Sequence, residues 1–153
     1  MGPGPRGLVG TPAPLPAAEI PVFQLSLDYS FNDWHPKPVQ HHYDLARELA
    51  PLREQGVLVV GSGNIVHNLW PASTGTWTPA PNPWAVEFDE RVRQCLVSGN
   101  HRDLVAFESL GPSASLAVPT LDHYLPMVYA LALQEAGEPV TFVHEGMENA
   151  SIS

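Results

Sequence analysis

The sequence is poor in basic residues, and this excludes two classes of partner. Only 7 of its 153 residues are lysine or arginine, against 16 aspartates and glutamates, so the formal net charge is -9. A protein that binds nucleic-acid phosphates or an anionic membrane surface needs the opposite balance of charge. We therefore expect neither nucleic acid nor a membrane as a partner.

The sequence also lacks cysteine pairs and long apolar runs. Cys95 is the single cysteine, which excludes an internal disulfide and a cysteine-based zinc cluster. No apolar run approaches the roughly 20 residues that cross a bilayer, and the Pro- and Gly-rich start has no apolar signal region. We predict a cytoplasmic protein with a single core, which 44% apolar residues can build.

Residues 1–18 differ in composition from the rest of the chain. Prolines recur among glycines in this stretch, and no apolar periodicity is visible. Each proline fixes φ and removes a hydrogen-bond donor, so regular structure is disfavoured. We predict a disordered or non-native leader over 1–18 and one folded domain over 19–153.

Apolar patterns in the domain predict an α/β fold, a sheet with helices packed on it. Strands are predicted at 20–27, 56–61 and 140–143, and helices at 40–53, 84–99, 101–109 and 120–136. In such sheets ligands bind beyond the carboxyl ends of the strands. Residues 61–69, which follow the second predicted strand, are therefore the first place to look for a site.

The segment 61–69 reads GSGNIVHNL and carries His67. Gly61 and Gly63 let the backbone approach a ligand closely or adopt a positive φ. Ser62 is not a hydrolase nucleophile, because the flanking glycines of a G-x-S-x-G elbow are absent, and no phosphate-loop lysine follows. His67 is either a proton shuttle or metal ligand, or a loop histidine bonded to a carbonyl.

His123 is the second candidate, at the start of the predicted helix 120–136. A helix N-terminus disfavours the charged imidazolium, and a neutral imidazole is the form that binds a metal. The alternative is a histidine whose ring packs under a loop. The tryptophans around the long loop either line an aromatic pocket or pack in the core and hold the loop in place. They are Trp70, Trp77 and Trp84.

The remaining histidines and acids give weaker signals. His41 and His42 are adjacent, so their side chains diverge on a helix and cannot easily share one metal. Surface positions are predicted for the isolated histidines His35, His101 and His144. The sequence assigns no role to Glu145 or Glu148.

Four stretches of the chain resemble a known family. They read IPVFQLSLD, HHYDLARELAPLREQGVLVVGSGNIVHNL, DHYLPMVYALALQEAGEPV and EGMENASIS. In this order and spacing they are similar to the C-terminal half of the class III extradiol ring-cleavage dioxygenases. The nearest group is the 4,5-DOPA extradiol dioxygenase type, which is related to the protocatechuate 4,5-dioxygenase β subunit. The resemblance runs from about residue 18 to residue 153.

The resemblance implies a fold, a reaction and two site residues. It implies the C-terminal part of the class III fold and cleavage of a catechol-type ring by O2 at non-haem Fe(II) or Zn(II). His67 matches the family's acid–base histidine, which lies close to the metal, and His123 matches a metal ligand. No substrate-binding residue is assigned, and the particular catechol, the native metal and the oligomeric state are left open.

The chain departs from the family in one respect. The other two metal-site histidines of the family lie before the strand predicted at residue 20, and this chain has no counterpart to that half. The resemblance therefore implies either a fragment that is inactive alone, a chain completed by a partner or a homo-oligomer, or a non-catalytic binding module. Whether the isolated chain is an enzyme stays open.

The leader itself suggests a displaced reading frame. One choice of synonymous codons for residues 1–16, read one base out of frame, gives WGLDHGAWSAPLPRF. Members of the family carry a similar WGxDHGxW-like segment just before the strand predicted at residue 20. We therefore predict that the leader is non-native.

Overall fold

The computed structural model describes residues 20–28, 38–70 and 80–153. The helices in these ranges are α1 (Val39–Arg47), α2 (Pro51–Glu54), α3 (Pro83–Ser98), α4 (His101–Val105), α5 (Ala114–Ala117) and α6 (Leu125–Ala132), with a 3-10 helix at Phe107–Leu110. None of these described helices is long and apolar enough to span a bilayer. The predicted leader, 1–18, lies outside the described residues.

α3 confirms the helix predicted at 84–99. Pro83 occupies its first turn, where the missing N–H is tolerated, and Gly99 ends it in the left-handed conformation with φ 67°. One face of the helix is buried, and its members recur at helical spacing: Ala85, Phe88, Val92 and Cys95.

The helix predicted at 40–53 is divided into α1 and α2. Pro51 has no N–H with which to continue the α1 hydrogen-bond ladder, so it begins a new turn at the start of α2. Ala46 of α1 is buried in one cluster with Tyr129 and Ala132 of α6. The two helices therefore pack against each other, and α1 covers the outer face of α6.

α6 is shorter than the helix predicted at 120–136. It begins at Leu125 with Pro126 in its first turn, because proline is accepted only there, and it ends at Ala132. Residues 121–124 form a turn before the helix. His123 consequently lies in that turn, and the prediction that it stands in the first helical turn is wrong.

The core is centred on aromatic rings from three elements. Phe88 of α3 lies 6.4 Å from Phe107, centroid to centroid, and Phe107 lies 4.8 Å from Tyr124. The Tyr124 hydroxyl donates a 2.9 Å hydrogen bond to the Leu104 carbonyl. The fully buried side chain of Tyr124 thus anchors the turn that carries His123 to the core.

The predicted sheet is not confirmed. Segments 20–28, 57–60 and 140–143 form no strand, and in the described part of the chain the bridges His67–Ile152 and Glu148–Ile152 are isolated. A strand needs a neighbour for its N–H and C=O groups, and these segments have none there. Several of their apolar side chains face outward instead, with Phe23 at 91% and Val143 at 97% exposure.

Truncation of Phe88 should destabilise the chain strongly. Phe88 is fully buried, so Phe88→Ala removes a ring and leaves a cavity, which costs about 3–5 kcal/mol. Val86→Ala on the exposed side of the same helix is the control, with an expected effect within about 0.5 kcal/mol. Urea unfolding measures both, and equal midpoints for the two variants would contradict the core described above.

Candidate functional site

The backbone around His67 is held by two distant parts of the chain. The His67 N–H donates to the Ala117 carbonyl at 3.0 Å. On the other side, the Ile65 N–H donates to Ser153 at 2.9 Å and the Ser153 N–H donates to Val66 at 3.1 Å. His67 therefore stands at a fixed point although no regular helix or strand contains it.

The His67 ring is buried and oriented by one hydrogen bond. His67 is 8% exposed, and its Nε2 lies 2.8 Å from the Thr120 carbonyl oxygen. A carbonyl only accepts, so Nε2 carries the proton and Nδ1 keeps its lone pair. Nδ1 is buried and has no hydrogen-bond partner. The arrangement leaves one ring nitrogen available to accept a proton or bind a cation.

Burial keeps this ring neutral. Desolvation lowers the pKa of His67 below its usual 6.5, and the nearby His123 lowers it further, while the bond to Thr120 opposes the shift. Desolvation disfavours the charged imidazolium. His67 is thus an uncharged base near neutral pH.

His123 lies beside His67. The two ring centroids are 5.0 Å apart at an interplanar angle of 34°. The side chain of His123 is 51% exposed, and its Nε2 lies 3.7 Å from Oδ2 of Asp122. The other carboxylate oxygen of Asp122 is buried without a hydrogen-bond partner. The structure therefore brings the two predicted site histidines together.

Gly61 and Gly63 allow two stretches of backbone to touch. A Cβ on Gly61 would collide with the Pro126 carbonyl oxygen, and one on Gly63 with that of His123. The Asn64 N–H donates to the same His123 carbonyl at 3.0 Å. The close approach predicted for these glycines is real, but it is to the chain's own backbone at 123–126, and it fixes the position of His123.

The donor set at this site fits a metal only in part. His67 offers an unpartnered Nδ1 whose ring is oriented by a carbonyl, the usual arrangement of a metal-binding histidine, and His123 lies within reach of it. Residues 20–28, 38–70 and 80–153 contain no group of three His, Cys, Asp or Glu that could hold a metal. Two donors make an incomplete site.

The weaker candidates fall outside the site. His101 is half-buried rather than on the surface, because its two ring nitrogens bond to Tyr43 and Gln134, each at 2.8 Å. His42 is buried beside Tyr129. Of the other candidates, His144 is exposed, as predicted, while His35 and Trp77 lie outside the described residues.

Three further candidates, one acid and two tryptophans, also lie outside the histidine pair. Glu145 pairs with Arg93 at 2.7 Å. Trp84 packs on the core from α3, whereas Trp70 is exposed, so the described residues form no aromatic pocket from the tryptophans.

Three contributors to the site were missed by sequence reasoning. The Thr120 carbonyl is a backbone group and leaves no sequence signal. Asp122 adjoins His123 in the sequence, and that adjacency could have drawn attention to it. Ser151 contacts the Asn68 carbonyl from a segment whose sequence suggested no role.

Comparison with known proteins identifies the family. A family model described as the catalytic LigB subunit of aromatic ring-opening dioxygenase matches residues 10–153. The chain belongs to this family. It is 38% identical to 4,5-DOPA dioxygenase extradiol of Escherichia coli K12, over 90% of this chain and 49% of that protein. It is 35% identical to the Mirabilis jalapa protein of the same name, over 84% and 45%.

A solved structure agrees with the family fold. The crystal structure of an uncharacterized protein from Escherichia coli K12 superposes with a TM-score of 0.65 at 35% identity, covering 76% of this chain and 48% of that one. The described helices thus follow the class III extradiol dioxygenase fold. The chain spans about half the length of the relatives it matches.

Gly63→Ala should displace the two histidines from each other. The new methyl group collides with the His123 carbonyl oxygen, so segment 61–69 must lift from the turn, at a cost of about 1–3 kcal/mol. Gly146→Ala is the control, because a methyl group there meets only the tip of the His144 side chain. Thermal unfolding and the NMR contact between His67 and His123 report the result. An unchanged NMR contact between the two rings in Gly63→Ala would contradict the close approach of Gly63 to the His123 carbonyl.

The stability of the metal-free chain should fall as the pH drops below about 6.5. The folded pKa of His67 lies below the unfolded value of 6.5, so the unfolded chain binds more protons between the two values and stability rises with pH across that window. His67→Gln should flatten this slope, and His144→Gln should not. Urea unfolding at a series of pH values measures it, and equal slopes for wild type and His67→Gln would contradict a buried neutral ring.

Proposed function

We propose that the chain forms part of a metal-dependent extradiol dioxygenase that cleaves a catechol-type ring with O2. The observation that carries this is the pair His67 and His123, with ring centroids 5.0 Å apart and one buried lone pair at Nδ1 of His67. Family membership supports the reaction class. The names of the relatives point to DOPA as a first substrate to test.

His67 acts as the acid–base group in this proposal. Its neutral ring accepts a proton from a catechol hydroxyl at Nδ1, while the Nε2–H bond to Thr120 holds the ring in orientation. The same nitrogen returns the proton at a later step. Burial supports this role, because a lowered pKa keeps the base uncharged before the substrate arrives.

His123 is proposed as a metal donor on this chain, and His67 lies beside the metal, because its Nδ1 accepts the proton and cannot hold the metal at the same time. Fe(II) or Zn(II), when bound, would supply Lewis-acid stabilisation of the two catechol oxygens and, for iron, electron exchange with O2. The Asn64–His123 backbone bond fixes the turn that carries His123. Because the described residues contain no group of three donors that could hold a metal, we propose that the remaining donors come from outside them.

We propose that the other half of the family fold packs on the exposed apolar segments. Besides Phe23 and Val143, Leu58 is 86% exposed. An apolar groove of about 340 Å³ runs along Val57–Val59, Val140 and α6. Extended backbone with outward apolar side chains is typical of strands that lack their neighbours. A partner chain corresponding to the unmatched half of the relatives suits this surface, whereas a second copy of this chain would repeat the same donors.

Oxygen uptake tests the function. The purified chain is mixed with Fe(II), DOPA and the half of the Escherichia coli relative that this chain does not match, and O2 consumption is followed with an electrode. We expect uptake with both polypeptides and little with either alone. His67→Gln should lower the rate by about 10²–10⁴-fold, the range for loss of an acid–base group.

The controls separate chemistry from assembly. His144→Gln changes an exposed histidine far from the pair and should keep the full rate. Co-elution of the two polypeptides on a sizing column shows whether they bind. Binding without uptake, or uptake that His67→Gln leaves unchanged, would contradict the proposed function and favour a non-catalytic binding module. The cytoplasmic location and the boundary at residue 18 remain predictions.

A further inference from the structure

Residues 148–153 fold back on themselves in a tight turn. The Glu148 N–H donates to the Ile152 carbonyl at 2.8 Å, and the Ile152 N–H donates to the Glu148 carbonyl at 2.9 Å. Asn149 and Ala150 between them have positive φ angles of 48° and 66°. Two consecutive left-handed residues form the turn type that usually contains glycine.

The turn is kept in this strained form by its surroundings. A left-handed alanine is disfavoured, by roughly 1–2 kcal/mol, and such backbone persists only where neighbours determine it. Asn82 supplies that constraint, because its backbone N–H and its side-chain amide both donate to the Ala150 carbonyl, at 2.8 and 3.2 Å. The conformation of the turn is therefore set by contacts with the rest of the chain.

The segment reaches the backbone on both sides of His67. Before the histidine, Ser153 exchanges two hydrogen bonds with Ile65 and Val66. After it, the Ser151 hydroxyl donates a 2.5 Å hydrogen bond to the Asn68 carbonyl. Ser151 is completely buried, so water cannot replace this bond.

We propose that Ser151 is a positioning residue for His67. Its hydroxyl fixes the carbonyl that follows His67, while the bonds of Ser153 fix the residues that precede it. The backbone at His67 is then set so that Nε2 meets the Thr120 carbonyl and Nδ1 stays free. Ser151 touches neither ring and acts only through Asn68. The inference rests on the proposed function only in calling His67 the acid–base group.

NMR of the 15N-labelled histidine rings in the 153-residue chain tests the proposal. Ser151→Ala removes the donor, so the Asn68 carbonyl shifts and the Nε2–Thr120 bond weakens. We expect the ratio of the Nδ1–H to the Nε2–H tautomer at His67 to rise about fivefold, the effect of losing one buried hydrogen bond. His101, fixed by Tyr43 and Gln134, should keep its signals.

Two further variants decide between positioning and simple stabilisation. Ser115→Ala makes the same change at an exposed serine and should leave the His67 signals unchanged. Ser151→Cys replaces the hydroxyl with a larger atom that is a weaker donor, so its His67 signals should lie between those of the wild type and those of Ser151→Ala. It also serves as the test variant if Ser151→Ala does not fold.

A wild-type His67 signature in a folded Ser151→Ala chain would overturn the proposal. A Ser151→Cys signature identical to wild type, where the alanine variant does not fold, would overturn it as well. Lower thermal stability without a change at His67 would assign Ser151 a structural role only. No turnover is needed, so this result and the oxygen-uptake assay can fail independently.

Discussion

The site depends on backbone hydrogen bonds that segment 64–68 makes with distant parts of the chain. Its N–H and C=O groups bond to the turn at 123, to Ala117 and to residues 151–153. A segment that forms neither helix nor strand must satisfy its polar groups elsewhere. The groups that accept and donate these backbone hydrogen bonds also hold His67 and His123 side by side.

Glycine makes this arrangement possible at two points. Gly61 and Gly63 lie so close to the backbone at 123–126 that a Cβ on either would collide with a carbonyl oxygen. The buried Tyr124 holds the same turn from the core side. The turn is thus fixed between the loop above it and the aromatic cluster below it, and the geometry of the histidine pair follows from packing rather than from a regular element.

Local sequence signals predicted α3 well and the other elements less well. α3 follows from Pro83, Gly99 and the apolar stripe between them, because each acts within the helix itself. The strands depend on a neighbour in space, which no local pattern supplies. His67 and His123 were candidates from their sequence context, and the family resemblance implied their roles. The Thr120 carbonyl and Ser151 act through the backbone and could not be found from residue type.

The exposed apolar segments and the incomplete donor set have one explanation. The chain spans about half of its relatives' length, and the segments predicted as strands leave apolar side chains outside. Under the proposed function, the chain that covers those side chains would also supply the remaining metal donors. We propose that His67 and His123 belong to that larger site.

The most direct test of this account is a nuclear Overhauser measurement between the ring protons of His67 and His123 in the chain alone. The two rings should lie together without metal, substrate or partner, because backbone hydrogen bonds within the chain hold them. A cross-peak between the two rings, with the proton of His67 on Nε2, is the predicted result. The absence of this cross-peak, or His67 signals that average the two tautomers, would contradict the predicted arrangement.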